Sequence, residues 1–236
     1  MRLLSALFLC ANLLNLVAFS GDEADSQSAP RIDIGTTVKE FSFTDIRYLP
    51  RSLSEFGERK AFVLLFTTLD CPIVRRSLPT LRRLEEEFRS QGVQFVGINV
   101  GQLDSLVDVA GQAVNADLGF PVGKDFTGDV VRALGIRRTP ECVVLDAAMQ
   151  LRYRGRIDSA FRLTGVQSNP GREDLREAIE DVVAGRDVRV AATPVDGCLI
   201  TEVRKPQSRS LNSVSYTHLR AHETKANLVC RLLLEK

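Results

Sequence analysis

A continuous apolar stretch from Phe62 to Phe66 ends in a short turn, and Cys71 and Pro72 follow directly. An apolar run of this length predicts a strand that is buried on both faces. Proline suits the first position of a helix, because its missing N–H would have no partner there. The stretch therefore predicts a strand, a turn and a helix, with Cys71 held where the helix begins.

Cys71 is predicted to be a redox-active or nucleophilic thiol. Unsatisfied backbone N–H groups and the positive end of the helix dipole favour its thiolate. Arg75 and Arg76 would lower its pKa further, whereas Asp70 would raise it, so the residues leave the net direction open. The alternative is a thiol near the surface that has no chemistry.

The N-terminus has the pattern of a secretory signal. Arg2 is followed by an apolar run to Phe19, and residues 18–20 have the small-x-small form of a cleavage site. The run is nearly long enough for a membrane anchor, but the acidic residues directly after it favour cleavage. We predict a signal peptide over 1–20, a disordered lead over 21–36, and no stable membrane span after cleavage. The mature protein would be exported, either periplasmic or extracellular.

The rest of the chain alternates between strand and helix patterns, which indicates an α/β fold with a mixed sheet. Its net charge of +1 over 236 residues offers no general attraction to nucleic acid. The predicted strands are 38–45, 61–67, 93–100, 120–122, 142–145 and 151–156, and the predicted helical segments are 52–56, 72–90, 104–118, 129–134 and 172–184.

Three segments carry a resemblance to a known family: 66–81, the turn 135–140 with its Thr-Pro pair, and 143–158. Their order and spacing resemble those of the thioredoxin-like superfamily, in its redoxin branch of alkyl hydroperoxide reductase and thiol-specific antioxidant proteins. The resemblance implies a thioredoxin-like three-layer sandwich over 37–190, in which helices flank a central mixed β-sheet. Residues 191–206 would then form a C-terminal extension.

The resemblance also implies roles for individual residues. Cys71 would be the catalytic thiol, with Thr68 three residues before it. Pro140 would follow a cis peptide bond and face the thiol. Thr139 and Pro140 together would dock the backbone of a substrate.

The chain departs from the family in ways that bear on its chemistry. Val74 stands where thioredoxins have their second cysteine, so this turn cannot form an internal disulfide. Leu64 replaces a proline that peroxiredoxins have upstream, and Pro140 occupies roughly the place of their peroxide-polarising arginine. The residues available to supply that positive charge are Arg75, Arg76 and Arg138.

A second sulfur would have to come from elsewhere in the chain or from another protein. Cys142 lies two residues after Pro140 on the same strand face, so contact with Cys71 is conceivable, although a buried core cysteine is the favoured interpretation. Cys198 follows the last helix, where it could resolve Cys71 through a flexible tail or pair with another chain. Cys142 and Cys198 are therefore the candidate resolving cysteines, and the choice stays open.

The C-terminal tail, 207–236, is interpreted as non-native or disordered, because 213–224 resembles a translated sequencing adapter. Both histidines of the chain, His218 and His222, lie in this tail. Their order with the neighbouring acidic and cysteine side chains does not match a metalloprotease helix. We therefore predict no metal site, no cofactor and no histidine-assisted catalysis.

Together these patterns predict an exported thioredoxin-like thiol oxidoreductase that acts on protein disulfides or small peroxides through one active-site cysteine. An external reductant would restore the thiol, and a peroxiredoxin-like antioxidant role falls within this prediction. The alternative is a redox-silent thioredoxin-fold binding module, truncated from a larger electron-transfer or catalytic protein.

Overall fold

The computed structural model describes residues 31–162, 165–166 and 171–201, all within one compact unit. The predicted signal peptide, most of the lead, and the tail with both histidines lie outside the described residues. The strands are β1 Ser42–Asp45, β2 Pro50–Ser52, β3 Ala61–Thr67, β4 Val93–Asn99, β5 Val122–Lys124, β6 Arg138–Thr139, β7 Glu141–Asp146, β8 Leu151–Gly155, β9 Phe161–Arg162, β10 Gly165–Val166 and β11 Cys198–Leu199. The helices are α1 Pro72–Arg89, α2 Leu106–Asn115, α3 Asp129–Leu134 and α4 Asp174–Val183, with a 3-10 turn at Leu53–Phe56.

The main sheet is built around β3. In the described part of the chain it has seven strands in the order β2-β1-β5-β4-β3-β7-β8. β3 runs parallel to β4 and antiparallel to β7, so the sheet is mixed. All seven residues of β3 are buried, as the apolar run predicted. The sequence-predicted bounds 61–67 are confirmed.

Alternate side chains of β3 enter two hydrophobic clusters, because successive residues of a strand point to opposite faces. Val63 and Leu65 pack with residues of α1, α2 and α4. Leu64 and Phe66 pack on the other face with residues of α3. The sheet between two helical layers confirms the predicted three-layer α/β architecture, and none of the described helices has the length and apolar character needed to cross a bilayer.

Several predicted element bounds are wrong. The strand predicted over 38–45 is confined to Ser42–Asp45, because Val38 instead donates its N–H to the carbonyl of Met149 outside any regular strand. The helix predicted over 104–118 begins only at Leu106, after Ser105 accepts a hydrogen bond from the N–H of Asp108.

The sequence patterns also missed two small ribbons. One pairs β9 with β10, and the other pairs β6 with β11, both antiparallel. Each strand in these ribbons has only two residues, which is too short for any hydrophobic alternation to appear. The second ribbon lies at the turn that ends in Pro140, which the sequence described only as a turn.

A buried ion pair between Arg154 of β8 and Glu141 of β7 supports this turn. Arg154 Nη2 lies 3.0 Å from Glu141 Oε1, and the two side chains are 7% and 1% exposed. The guanidinium also donates to the carbonyls of Leu134 and Gly135 after α3, at 3.1 and 3.3 Å. Since Glu141 directly follows Pro140, the pair holds the end of the turn against the sheet.

Arg154→Met should therefore destabilise the protein strongly. It removes the buried cation that faces the Glu141 carboxylate, and removing one member of a buried pair typically costs about 3–5 kcal/mol. Urea unfolding followed by circular dichroism measures the free energy of unfolding. Arg152→Met on the same strand is the matched control: its partners are the fully exposed Asp187 and, at 3.9 Å, the partly exposed Asp146, so the loss should stay below about 1 kcal/mol. Equal losses in both variants would contradict this account.

Candidate thiol active site

Cys71 lies at the end of the turn that follows β3, as the cap residue of α1. Only 1% of the residue is exposed. Its Sγ lies 3.2 Å from the carbonyl oxygen of Thr139 in β6, to which the protonated thiol donates. The thiol is therefore enclosed between the start of a helix and the edge of the β6 turn.

The pKa of the Cys71 thiol is lowered below its usual range by several donors acting together. Burial is the largest single influence and would raise the pKa. Hydrogen bonds from the Cys198 thiol, from the backbone N–H of Val74 and from the N–H groups of Cys198 and Ile73 outweigh it. The helix N-terminus thus contributes through the N–H groups of Ile73 and Val74, as the sequence predicted.

Cys198 reaches Cys71 because β11 pairs with β6. In this ribbon Cys198 lies opposite Thr139, and Leu199 lies opposite Arg138. Cys198 is half-buried and packs against the hydrophobic cluster that contains Cys71. The thiols of Cys71 and Cys198 are therefore close enough to hydrogen bond, and both residues contact the Thr139 backbone.

The two thiols are electrostatically unequal. Burial raises the pKa of Cys198 to about 11, helped by its hydrogen bond to Cys71 and by the negative charge of that sulfur, while Arg138 opposes the rise. Of the two thiols, Cys71 is therefore the one that loses its proton at the lower pH. Because the thiolate is the reactive form of a cysteine, Cys71 is the more readily activated of the two thiols.

The predicted Thr-Pro turn lies beside these sulfurs. The Thr139–Pro140 peptide bond is cis, and both residues are buried. The hydroxyl of Thr68 lies 3.1 Å from that of Thr139. The structure thus brings together Cys71, Thr68, Thr139 and Pro140, which the sequence analysis had singled out.

The other candidate cysteine, Cys142, lies in the core. It is fully buried in β7, opposite Leu65 of β3. Burial raises its pKa well above the usual range, and the charge of Glu141 raises it further. The Cys142 thiol therefore stays protonated, as expected of an inert core cysteine.

The three candidate arginines lie in different places. Arg75 is exposed on the groove between α1 and α2, and Arg76 Nη2 donates to the carbonyl of Arg162 at 3.0 Å. Arg138 Nη1 donates to the carbonyl of Gly197 at 2.7 Å, directly before Cys198. Of the three, Arg138 is the one placed in the ribbon that carries the second thiol.

Sequence reasoning missed a carboxylate that positions the active-site turn. Asp104 Oδ2 accepts hydrogen bonds from the N–H of Leu69 at 2.9 Å and from the amide of Asn99 at 2.7 Å. Lys124 donates to the backbone carbonyl of Asp104. The available signal was that Asn99 ends β4 and Asp104 follows it closely, at the edge where β4 lies beside the end of its parallel neighbour β3. Within the described ranges no cluster of three or more His, Cys, Asp or Glu side chains is arranged to hold a metal ion.

Removing the thiol donor from Cys198 should raise the pKa of Cys71. Cys198→Ala loses the side-chain hydrogen bond to the thiolate, whereas Cys198→Ser keeps a donor and serves as the matched control. The measurement is a pH titration of thiolate ultraviolet absorbance, taken as the difference between each protein and its Cys71→Ser derivative. An identical Cys71 pKa in the wild type and both variants would show that Cys198 does not hold the thiolate.

The chain is similar in sequence and in fold to several known proteins. The thiol-disulfide oxidoreductase ResA of Bacillus thuringiensis subsp. konkukian is 22% identical over 145 residues, which is 61% of this chain and 82% of that protein. A crystal structure of an uncharacterized conserved protein from Geobacillus kaustophilus matches with a TM-score of 0.66 and 26% identity, covering 72% of this chain and 92% of that one.

A third relative is a putative thiol:disulfide interchange protein DsbE from Chlorobium tepidum. It matches with a TM-score of 0.50 and 19% identity over 65% of this chain and 97% of that one, and it shows that the fold is thioredoxin-like. The AhpC/TSA family matches residues 34–157, from before β1 to just after β8. The chain therefore belongs to the AhpC/TSA family of thioredoxin-like proteins.

Proposed function

We propose that this protein is a thiol–disulfide oxidoreductase whose attacking group is the thiolate of Cys71. The observation that carries the proposal is the lowered pKa of this buried thiol, which hydrogen-bond donors from α1 and β11 produce together. The relatives named as thiol-disulfide oxidoreductases support the same reaction class.

The chemistry begins with exchange between Cys71 and a disulfide of a partner. The Cys71 thiolate attacks one sulfur, a new S–S bond forms, and the other partner sulfur leaves as a thiolate. The N–H groups of Ile73 and Val74 are positioned to stabilise the charge on Cys71 before the attack. An external thiol reductant returns the protein to its starting state.

Disulfides fit this site better than peroxides do. A peroxide needs a free hydroxyl and a cation beside the attacking sulfur, but the Thr68 hydroxyl is hydrogen bonded to that of Thr139. Arg138 is likewise engaged with the Gly197 carbonyl. A disulfide needs only an activated thiolate, and donors from α1 and β11 stabilise the thiolate of Cys71.

Cys71→Ser should abolish disulfide reduction. With insulin as the substrate and dithiothreitol as the reductant, we expect the catalysed rate to fall at least about 1,000-fold, because the variant lacks the nucleophile. Cys142→Ser is the control and should retain the activity, since that thiol is buried and stays protonated. The wild-type rate should also level off at a lower pH than that of an ordinary thiol, because the pKa of Cys71 is lowered.

Other outcomes of the same experiment separate the competing functions. A wild-type protein that reduces no disulfide but consumes hydrogen peroxide through Cys71 would be a peroxidase. A protein that does neither would be a redox-silent binding module, and the proposed activity would be wrong.

We further propose that the protein is exported and works in the periplasm or outside the cell. The support is the sequence of residues 1–20, a basic start, an apolar run and a cleavage pattern. Expression in a Gram-negative host should yield periplasmic protein that begins at Gly21, as read by N-terminal sequencing. Protein that retains Met1 and stays with the cytoplasmic fraction would contradict export.

A further inference from the structure

We propose that Cys198 is the resolving cysteine of this chain and forms a reversible intramolecular disulfide with Cys71. The proposal rests on the proposed function, because it supplies the second step of that exchange reaction. It also assigns a role to β11: this short strand delivers the second sulfur to the thiolate.

The ribbon geometry sets the approach of the two sulfurs. Cys71 Sγ lies 3.2 Å from the Thr139 carbonyl oxygen, and Cys198 is the residue paired with Thr139. Both thiols pack into one hydrophobic cluster. No rearrangement of the sheet is therefore needed to bring the second sulfur to the first.

Close approach of β11 depends on Gly197. A Cβ atom at this position would lie 2.3 Å from the Thr139 carbonyl oxygen, far inside a normal contact. Two hydrogen bonds flank the glycine and the cysteine: Arg138 Nη1 to the Gly197 carbonyl at 2.7 Å, and the Ile200 N–H to the Arg137 carbonyl at 2.9 Å. These two bonds, one from a side chain and one between backbones, hold residues 197–200 against β6 and the residue before it.

The same segment has a separate anchor a few residues upstream. Thr193 donates its N–H to the carbonyl of Arg154 at 3.1 Å, and its hydroxyl lies 2.8 Å from that of Tyr153. Thr193 is therefore fixed to β8, whereas the backbone of the two-residue strand β11 pairs with the equally short β6 at the edge of the turn. Such a short edge pairing can open locally while its anchor keeps Cys198 nearby.

The charges explain why the two sulfurs act in order. In the reduced protein, burial raises the pKa of Cys198. The hydrogen bond between the two thiols and the negative charge of Cys71 raise it further. Once Cys71 is in a mixed disulfide that negative charge is gone, whereas Arg138 still favours the Cys198 thiolate. Cys198 then becomes easier to deprotonate at the stage when a second nucleophile is required.

The complete reaction balances without any further oxidant. Cys71 attacks the partner disulfide and releases one partner thiol, leaving a mixed disulfide on Cys71. Cys198 loses its proton and attacks Cys71 Sγ, which releases the second partner thiol and forms the Cys71–Cys198 bond. The partner gains two electrons and the protein dithiol loses two, and an external dithiol reverses the change in the protein.

The first test maps the disulfide in the full-length protein. Reduced protein is exposed to glutathione disulfide, alkylated under denaturing conditions and digested with trypsin. Cys71, Cys142 and Cys198 fall on separate tryptic peptides, 61–75, 139–152 and 190–204. We expect peptides 61–75 and 190–204 to be joined and Cys142 to be alkylated.

The second test uses Cys198→Ser, which removes the resolving sulfur. A glutathione adduct should accumulate on Cys71 and persist, whereas the wild type should carry it only briefly. Intact mass spectrometry measures the adduct over time. Cys142→Ser is the control and should resolve the adduct at the wild-type rate.

The third test keeps both cysteines and disturbs only the packing of β11 against β6. Gly197→Ala should prolong the life of the glutathione adduct about 100-fold, because a misplaced nucleophile loses much of its advantage over a free one. Gly111→Ala on α2 is the matched control: its new Cβ meets nothing within 4 Å, and resolution should be unchanged.

The outcomes distinguish this inference from the proposed function. A wild-type protein that keeps glutathione on Cys71 with Cys198 free, or that joins Cys71 to Cys142 or to another chain, overturns the inference and leaves the function standing. A Cys71 that never reacts with glutathione disulfide overturns both. Resolution at the wild-type rate in Gly197→Ala would show that the β6–β11 ribbon is not what delivers the sulfur.

Discussion

The position of Cys71 depends on the burial of β3 between β4 and β7. Both faces of β3 are covered by helices, so neither its register nor its direction can change without exposing apolar side chains. The chain must then leave the sheet where β3 ends, beside the end of its parallel neighbour β4. Asp104, beyond β4, can reach the N–H of Leu69 for this reason, and α1 begins at a defined point.

At that point burial and hydrogen bonding act on the thiol in opposite directions. Burial alone would keep Cys71 protonated, but donors from α1 and Cys198 are already in place and stabilise the thiolate. The same burial acts on Cys198, whose principal neighbour is a negative sulfur, and there the pKa rises. A single strand pairing therefore places two thiols side by side, of which Cys71 loses its proton first.

The local patterns predicted the elements whose own residues decide their conformation. The run 61–67 is apolar throughout, and α3 carries a glycine on each side, so both were located correctly. The helix that Pro72 opens was also located, with its apolar face inward. By contrast, β6 and β11 have two residues each and are strands because they pair with each other. A pattern within either short segment cannot predict that pairing.

The sequence by itself determined that a lone cysteine would stand at the start of a helix, with Val74 excluding a partner in the same turn and a Thr-Pro pair beside it. Only the tertiary structure decided which distant thiol lies beside Cys71. The sequence favoured a core position for Cys142 but left both cysteines as candidates. The structure buries Cys142 in β7, and strand pairing places Cys198 opposite Thr139 of β6. The physical reason is that strand pairing between segments 59 residues apart depends on where the whole sheet places their backbones.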